Sequence, residues 1–204
     1  MKIFSMNRLS FLILALFPFL GLLAQEVILP VSGNEIAKEF YRDFYSGSKK
    51  SMNSDTLDLP FIDDFSDSEV IPNPNKWSDK SAYINNRYSK NPITAGMATL
   101  DSYNFDGSPY PNASSSPYIA DSLTSLPINL EYNKSDSIYL SFFYLAKGLG
   151  DQPEKSDSLC LEFFNADSSY WERVWSMEGS VMAKFKRVMI PVVDDQYLKK
   201  GFKF

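Results

Sequence analysis

Histidine is absent from the whole 204-residue chain. Its absence excludes the Ser-His-Asp and Cys-His nucleophilic mechanisms, and it also excludes every zinc site that depends on an imidazole ligand. Hydrolysis by carboxylates does not need histidine and stays possible. A glycosidase of that kind needs two carboxyl groups facing each other across a cleft.

Cysteine occurs once, at Cys160, so the chain cannot form an internal disulfide. Its neighbours Leu159 and Leu161 are apolar, and no basic residue lies beside it to activate a thiol. This setting favours a small buried side chain over a reactive one. The fold must then be held by its hydrophobic core alone.

Basic residues are fewer than acidic ones, 20 against 25, and the formal net charge is −5. Residues 1–24 contain two of the basic residues and none of the acidic ones, so the remainder carries −7. Binding to nucleic acid requires clustered Lys and Arg. The charge balance therefore argues against a nucleic-acid partner.

The first 24 residues have the pattern of a secretory signal peptide. Lys2 and Arg8 form a positive start, residues 9–24 carry no charge, and the run ends in Ala24 as a cleavage site. The apolar run is shorter than the roughly 20 residues of a spanning helix. We expect export by the Sec pathway to the periplasm, the outer cell surface or the medium, with no stable membrane insertion after cleavage. An uncleaved membrane anchor is the alternative.

Residues 25–56 are predicted to be a lead-in and polar linker. Asn34 can cap a short helix whose apolar face would carry Ile36, Phe40 and Phe44. A run rich in Ser, Lys and Asn follows at 46–54. The domain itself is predicted to span residues 57–204.

Beyond residue 57 no segment has a convincing helical period, and short strands alternate with Gly, Pro, Asn, Asp and Ser. In the strand 137–145, four apolar residues face one way, and Phe143 and Leu145 face the other, which predicts a strand covered on both sides. Trp171 and Trp175 share strand phase, which favours core packing. About eight strands are expected, at 82–85, 96–100, 126–130, 137–145, 158–164, 170–177, 185–193 and from 202. The pattern predicts an all-β, antiparallel β-sandwich.

An ordered set of segments resembles a known family. The segments are Phe61-Ile62-Asp63-Asp64-Phe65-Ser66, Trp77-Ser78-Asp79, Tyr83-Ile84-Asn85, Ala98-Thr99-Leu100-Asp101, Asp106-Gly107-Ser108-Pro109-Tyr110, residues 120–128, Leu140-Ser141-Phe142-Phe143-Tyr144, residues 148–154 and Asp157-Ser158-Leu159. The set resembles the N-terminal jelly-roll module, similar to MAM and concanavalin-like domains, of exported Bacteroidota proteins that usually end in a type IX secretion sorting domain. The likeness covers residues 57–204. Because the family pattern continues with further strands, the resemblance implies a chain truncated at its C-terminus.

Two site hypotheses follow from the resemblance. Similar sandwiches often hold a structural Ca²⁺, and Asp63 and Asp64 would be a partial ligand set here. Thr56, in Asp55-Thr56-Leu57, matches an O-glycosylation motif of exported proteins in the same bacteria. Each has a plain alternative, a solvated strand end for the aspartates and an ordinary turn before a strand for Thr56.

The preferred reading of the sequence is an exported, non-catalytic module for adhesion or carbohydrate binding, or a spacer in a larger surface protein. Its partners would be glycans or other surface proteins. One alternative is an accessory or catalytic domain of a glycan hydrolase, which would need a second acid facing Glu162 or Asp151. The other is a structural component of the secretion or gliding machinery.

Overall fold

A computed structural model describes residues 32–46, 56–110 and 118–204. Residues Ser32–Phe204 form one compact unit. The helix that precedes residue 57 therefore belongs to the same unit as the strands. The signal-peptide prediction, at residues 1–24, lies outside the described residues and stays a prediction.

The predicted helix is present as α1, Glu35–Ser46. Asn34 caps it, since its Oδ1 accepts a hydrogen bond of 3.2 Å from the Ala37 amide. The apolar face is rotated from the predicted one: Ala37 is buried, while Ile36 is 56% exposed. A period of four marks a stripe on the helix but does not show which edge of that stripe meets the core.

The described residues contain eight strands, and this part of the chain is mostly β with little helix. The strands are β1 Tyr83–Asn85, β2 Met97–Thr99, β3 Ile128–Asn129, β4 Tyr139–Tyr144, β5 Ser158–Asn165, β6 Tyr170–Glu178, β7 Lys186–Pro191 and β8 Lys200–Phe202. They pair as four small antiparallel sheets, β1 with β2, β3 with β8, β4 with β7, and β5 with β6. The all-β class is thus shown, and the jelly-roll order stays a prediction.

The main core is built from buried residues of β3, β5 and β8 and of the segments that follow β3 and β7. Phe163 is 1% exposed and packs edge-on against Tyr197 and Phe202, with ring centroids 5.3 and 5.0 Å away. Leu140 of β4 and Ile190 of β7 pack against the same cluster. Alternate residues of β4 and β7 supply this inner face, as a period of two requires.

A β-bulge in the β5–β6 hairpin separates the two tryptophans. Leu161 pairs with Trp175, but its neighbour Glu162 pairs with Arg173, so one extra residue lies on β6. Trp175 then faces inward and contacts Phe142 at 5.3 Å, whereas Trp171 pairs with Phe164 on the opposite face. The prediction that Trp171 and Trp175 lie on the same face of the strand is wrong, because the bulge between them shifts the alternation of side chains by one residue.

Residues 56–110 hold few strands and dock largely through loops. The chain crosses closely at two glycines, where a Cβ on Gly33 would come within 2.3 Å of the Gly107 carbonyl oxygen. Gly107 has φ +77°, a conformation that favours glycine. The Asn34 amide donates to the same carbonyl at 2.8 Å, which fixes the start of α1 against this loop.

Candidate functional site

The largest departure from the sequence prediction is the second face of β4 and β7. Tyr139 and Phe143 lie on this face of β4, 52% and 56% exposed, although the strand was expected to be covered on both sides. Met189, on β7 opposite Ser141, is 54% exposed. Apolar residues on both faces of a strand predict that both faces are buried. They do not show whether the described chain contains an element that covers the second face.

We call this surface the ribbon outer face. Its six members all have exposed side chains and lie directly opposite one another in three cross-strand pairs. The pairs are Tyr139 with Pro191, Ser141 with Met189, and Phe143 with Arg187. Since residues advance about 3.4 Å along an antiparallel strand, Tyr139 and Phe143 are anchored about 14 Å apart on the same face of β4.

The outward face of the β5–β6 hairpin also carries aromatic rings, but they are partly covered. Phe164 and Trp171 contact each other with centroids 5.1 Å apart, and both are half-buried. The Lys203 ammonium lies 4.3 Å from the Phe164 centroid, in a cation–π contact. That ammonium lies over one face of the Phe164 ring.

The carboxylates required by a hydrolase do not face each other here. Glu162 contacts the Arg173 guanidinium at 3.4 Å, and Asp151 lies exposed in the loop after β4. Neither has a described acidic partner across a groove. The carboxylate-hydrolase alternative therefore gains no support from the arrangement of Glu162 and Asp151.

Asp63 and Asp64 have different surroundings. The Asp63 side chain, only 2% exposed, accepts hydrogen bonds from the Trp77 indole at 2.6 Å and from the Lys76 ammonium at 3.2 Å. Asp64 is exposed, and its pKa is lowered by hydrogen bonds from the Ser66 hydroxyl and amide. An ammonium on Asp63 competes with any cation. The calcium hypothesis stays a prediction, and within the described ranges no three Asp, Glu or Cys side chains form a group able to hold a metal.

Three half-buried aspartates, which sequence reasoning missed, tie the loops of residues 79–124 together. Asp79 accepts from the Thr124 amide at 2.8 Å. Asp121 accepts from the Asp101 amide at 2.5 Å and from the Tyr110 hydroxyl at 2.6 Å. One oxygen of Asp79 and one of Asp101 are buried without a hydrogen-bond partner among the described residues. The only sequence signal was that Asp79, Asp101 and Asp121 all fall in the segments that carry the family resemblance.

Burial raises the pKa of all three of these aspartates. For Asp121 the pKa rises to about 6, chiefly through desolvation, with a smaller contribution from the negative charges of Asp101 and Asp79. Desolvation likewise raises the pKa of Asp79 and of Asp101. Ionising these carboxyl groups is therefore unfavourable, chiefly because they are desolvated, and this property of the fold does not require a ligand.

Thr56 is the first described residue after 47–55, and it is half-buried. The next residue, Leu57, is fixed to the core strands, since its amide donates to the Pro127 carbonyl at 2.8 Å and it forms a bridge with Ile128. Thr56 thus lies immediately beside the core. Its glycosylation stays a prediction.

Comparison of the chain with protein-family models, with curated proteins and with solved structures finds no match. The resemblance to the exported jelly-roll modules therefore remains a prediction from the sequence. Among the described residues, no helix combines the length and the apolar character needed to cross a membrane.

Proposed function

We propose that this chain is an exported β-sandwich module that binds carbohydrate at the cell surface or in the medium, and that the ribbon outer face is its binding surface. The paired sheets would be parts of the two layers of a jelly roll. The leader at residues 1–24 supports the export step, and the absence of histidine is in keeping with a role in binding.

The observation that carries the proposal is the exposure of Tyr139 and Phe143 on one face of the β4–β7 pair, with Met189 between them. Aromatic rings on an open sheet offer apolar faces to the C–H faces of sugars, and the Tyr139 hydroxyl adds a hydrogen-bonding group. Isolated exposed apolar residues are ordinary, but three contiguous ones on a strand pair indicate an interaction surface.

A glycan array probed with the secreted chain tests this function. We expect wild-type protein to bind a subset of glycans, and a Tyr139→Ala, Phe143→Ala variant to lose that binding while keeping its melting temperature. Trp171→Ala, on the lysine-covered face, is the matched control and should keep its binding. A protein that binds no glycan would be a spacer, and a Trp171→Ala loss without a Phe143→Ala loss would move the site to the β5–β6 hairpin.

A further inference from the structure

Three neighbouring loops carry positive charge and no negative charge, although the chain is acidic overall. They are residues 86–91, which follow β1, residues 145–150, which follow β4, and residues 179–184, which precede β7. The middle loop contacts the first, since the Leu149 amide donates to the Tyr88 carbonyl at 2.7 Å. It also contacts the third, where the Lys147 amide donates to the Met182 carbonyl at 2.9 Å. We call this surface the cationic loops.

The cationic loops contain no Asp or Glu, and their basic residues are Arg87, Lys90, Lys147 and Lys184. Lys147 is half-buried and the other three are exposed. Within the described residues, none of the four has an ion-pair partner. The surface is bounded by residues 151–157, which hold three acids and one base and accept a hydrogen bond from the Gly179 amide. Its positive charge therefore belongs to these loops and is not spread over the domain.

Each of the cationic loops also exposes one apolar side chain. Leu149 is 59% exposed, Val181 68% and Tyr88 42%. Leu149 and Tyr88 take part in the backbone contact between the first two loops, and Val181 precedes Met182 of the other contact, so the three belong to one surface. Single exposed apolar residues are ordinary, but here aliphatic side chains lie among unpaired cations. The surface is therefore amphipathic.

The surface of an anionic lipid bilayer fits both properties of the cationic loops. Its phosphates attract Lys and Arg, and its headgroup region removes aliphatic side chains from water. A tyrosine ring is amphipathic and suits the same depth. A nucleic acid or a soluble acidic polysaccharide would neutralise the cations but leave Leu149 and Val181 in water. A folded protein partner would need a pocket for each of these protruding side chains.

We infer that the cationic loops bind the surface of an anionic lipid bilayer, with Arg87, Lys90 and Lys184 contacting lipid phosphates and Leu149 and Val181 entering the headgroup layer. The contact is peripheral and uses none of the six residues of the ribbon outer face, so it does not depend on glycan binding. The same bilayer repels the acidic remainder of the chain, which turns these loops toward the lipid.

Co-sedimentation of the secreted chain with lipid vesicles tests the inference. At low salt we expect vesicles of phosphatidylcholine and phosphatidylglycerol to bind the chain about tenfold more tightly than vesicles of phosphatidylcholine alone, and this advantage to shrink as salt screens the charges. The variant Lys90→Gln, Lys184→Gln should lose about tenfold in affinity for the anionic vesicles. The variant Leu149→Ser, Val181→Ser keeps its charge and should lose about fivefold, because less apolar surface leaves water.

The matched control is Lys134→Gln, Lys200→Gln, which removes the same charge from two exposed lysines outside the cationic loops and should keep wild-type binding. All three variants should keep the wild-type melting temperature. Binding to neither kind of vesicle, or equal binding to both, would overturn the inference. Unchanged binding of Leu149→Ser, Val181→Ser would also overturn it, since charge alone would then suffice. Tighter binding to dextran sulfate than to the anionic vesicles, at equal negative charge, would assign the loops to a soluble polyanion instead.

Discussion

The two halves of the described domain are stabilised in different ways. Residues 128–204 contain six of the eight described strands and the buried cluster around Phe163. The described part of residues 56–127 has as named strands only the three-residue β1 and β2. There aspartate side chains accept many of the hydrogen bonds that a sheet would supply. Ladder bonds and apolar burial do not depend on pH, whereas carboxylate bonds do. The comparison therefore separates a half stabilised mainly by ladder bonds and apolar burial from a half that contains the three half-buried aspartates with raised pKa values.

The halves meet at Trp77. Its indole donates to Asp63 and its ring lies edge-on to Phe204, with centroids 5.7 Å apart. Ser125, fully buried, donates its amide to the Phe204 carbonyl at 3.0 Å and accepts from the Phe204 amide at 3.2 Å. The sequence segments that resemble the jelly-roll family therefore build the junction between the halves.

The largest effect is expected in the strand-rich half. Phe163→Ala should lower the free energy of unfolding by about 3–5 kcal/mol, since it empties a fully buried site between Tyr197 and Phe202. Phe143→Ala, the same change at an exposed site, should shift it by no more than about 0.5 kcal/mol. Urea unfolding of the two variants checks this pair. Similar losses in both would mean that the ribbon outer face is covered in solution.

An intermediate effect is expected at the junction. Trp77→Phe keeps an aromatic ring but removes the donor to buried Asp63, which should cost about 1–3 kcal/mol. Trp171→Phe removes an indole on the outward face and should cost less than about 1 kcal/mol. If the two variants unfolded at the same urea concentration, the Asp63–Trp77 bond would not contribute to the stability of the junction.

The smallest effect is expected from pH. The pKa of Asp121 is about 6 in the folded chain and near 3.8 when unfolded, so the folded form holds this proton more tightly. The stabilisation is complete below about pH 4 and is lost as the pH rises through 6. After allowance for solvent screening of a half-buried group, we expect unfolding to require about 1–2 kcal/mol more at pH 4.5 than at pH 7.5.

The raised pKa values of Asp79 and Asp101 also lower the free energy of unfolding as the pH rises. The lowered pKa values of Asp64 and Asp106 reduce it only when the pH falls to about 3.8 or below. Asp121→Asn should flatten the profile between pH 4.5 and 7.5. The profile is measured by thermal unfolding at a series of pH values. A profile with the opposite slope would contradict the assignment of the cluster.

The sequence predicted the strands of the core-forming half well, because β4, β5 and β7 each place apolar residues at alternate positions. It also placed the helix after Asn34. It could not predict the phase of Trp171 relative to Trp175, since a one-residue bulge leaves no local signature. The hydrogen bonds of Asp121 to Asp101 and Tyr110 join residues 20 and 11 positions apart, which only the tertiary fold can show.

The candidate site illustrates the same limit. Phe143 was recognised as lying on the second face of β4, but its exposure depends on what packs there, and the cross-strand pairing with Arg187 depends on the register of β7. Neither property is encoded in the strand's own residues. The sequence therefore shows the aromatic residues of β4, but it does not show that those of the ribbon outer face are exposed to a ligand.

The central claim is that the ribbon outer face binds a glycan, and Met189 provides the most direct measurement. With methionine methyl groups labelled for NMR, addition of an oligosaccharide that binds on the glycan array should shift the resonance of Met189, which lies between Tyr139 and Phe143 on the exposed face. The resonance of half-buried Met177, on β6, should stay in place. A shift at Met177 with none at Met189 would contradict the account.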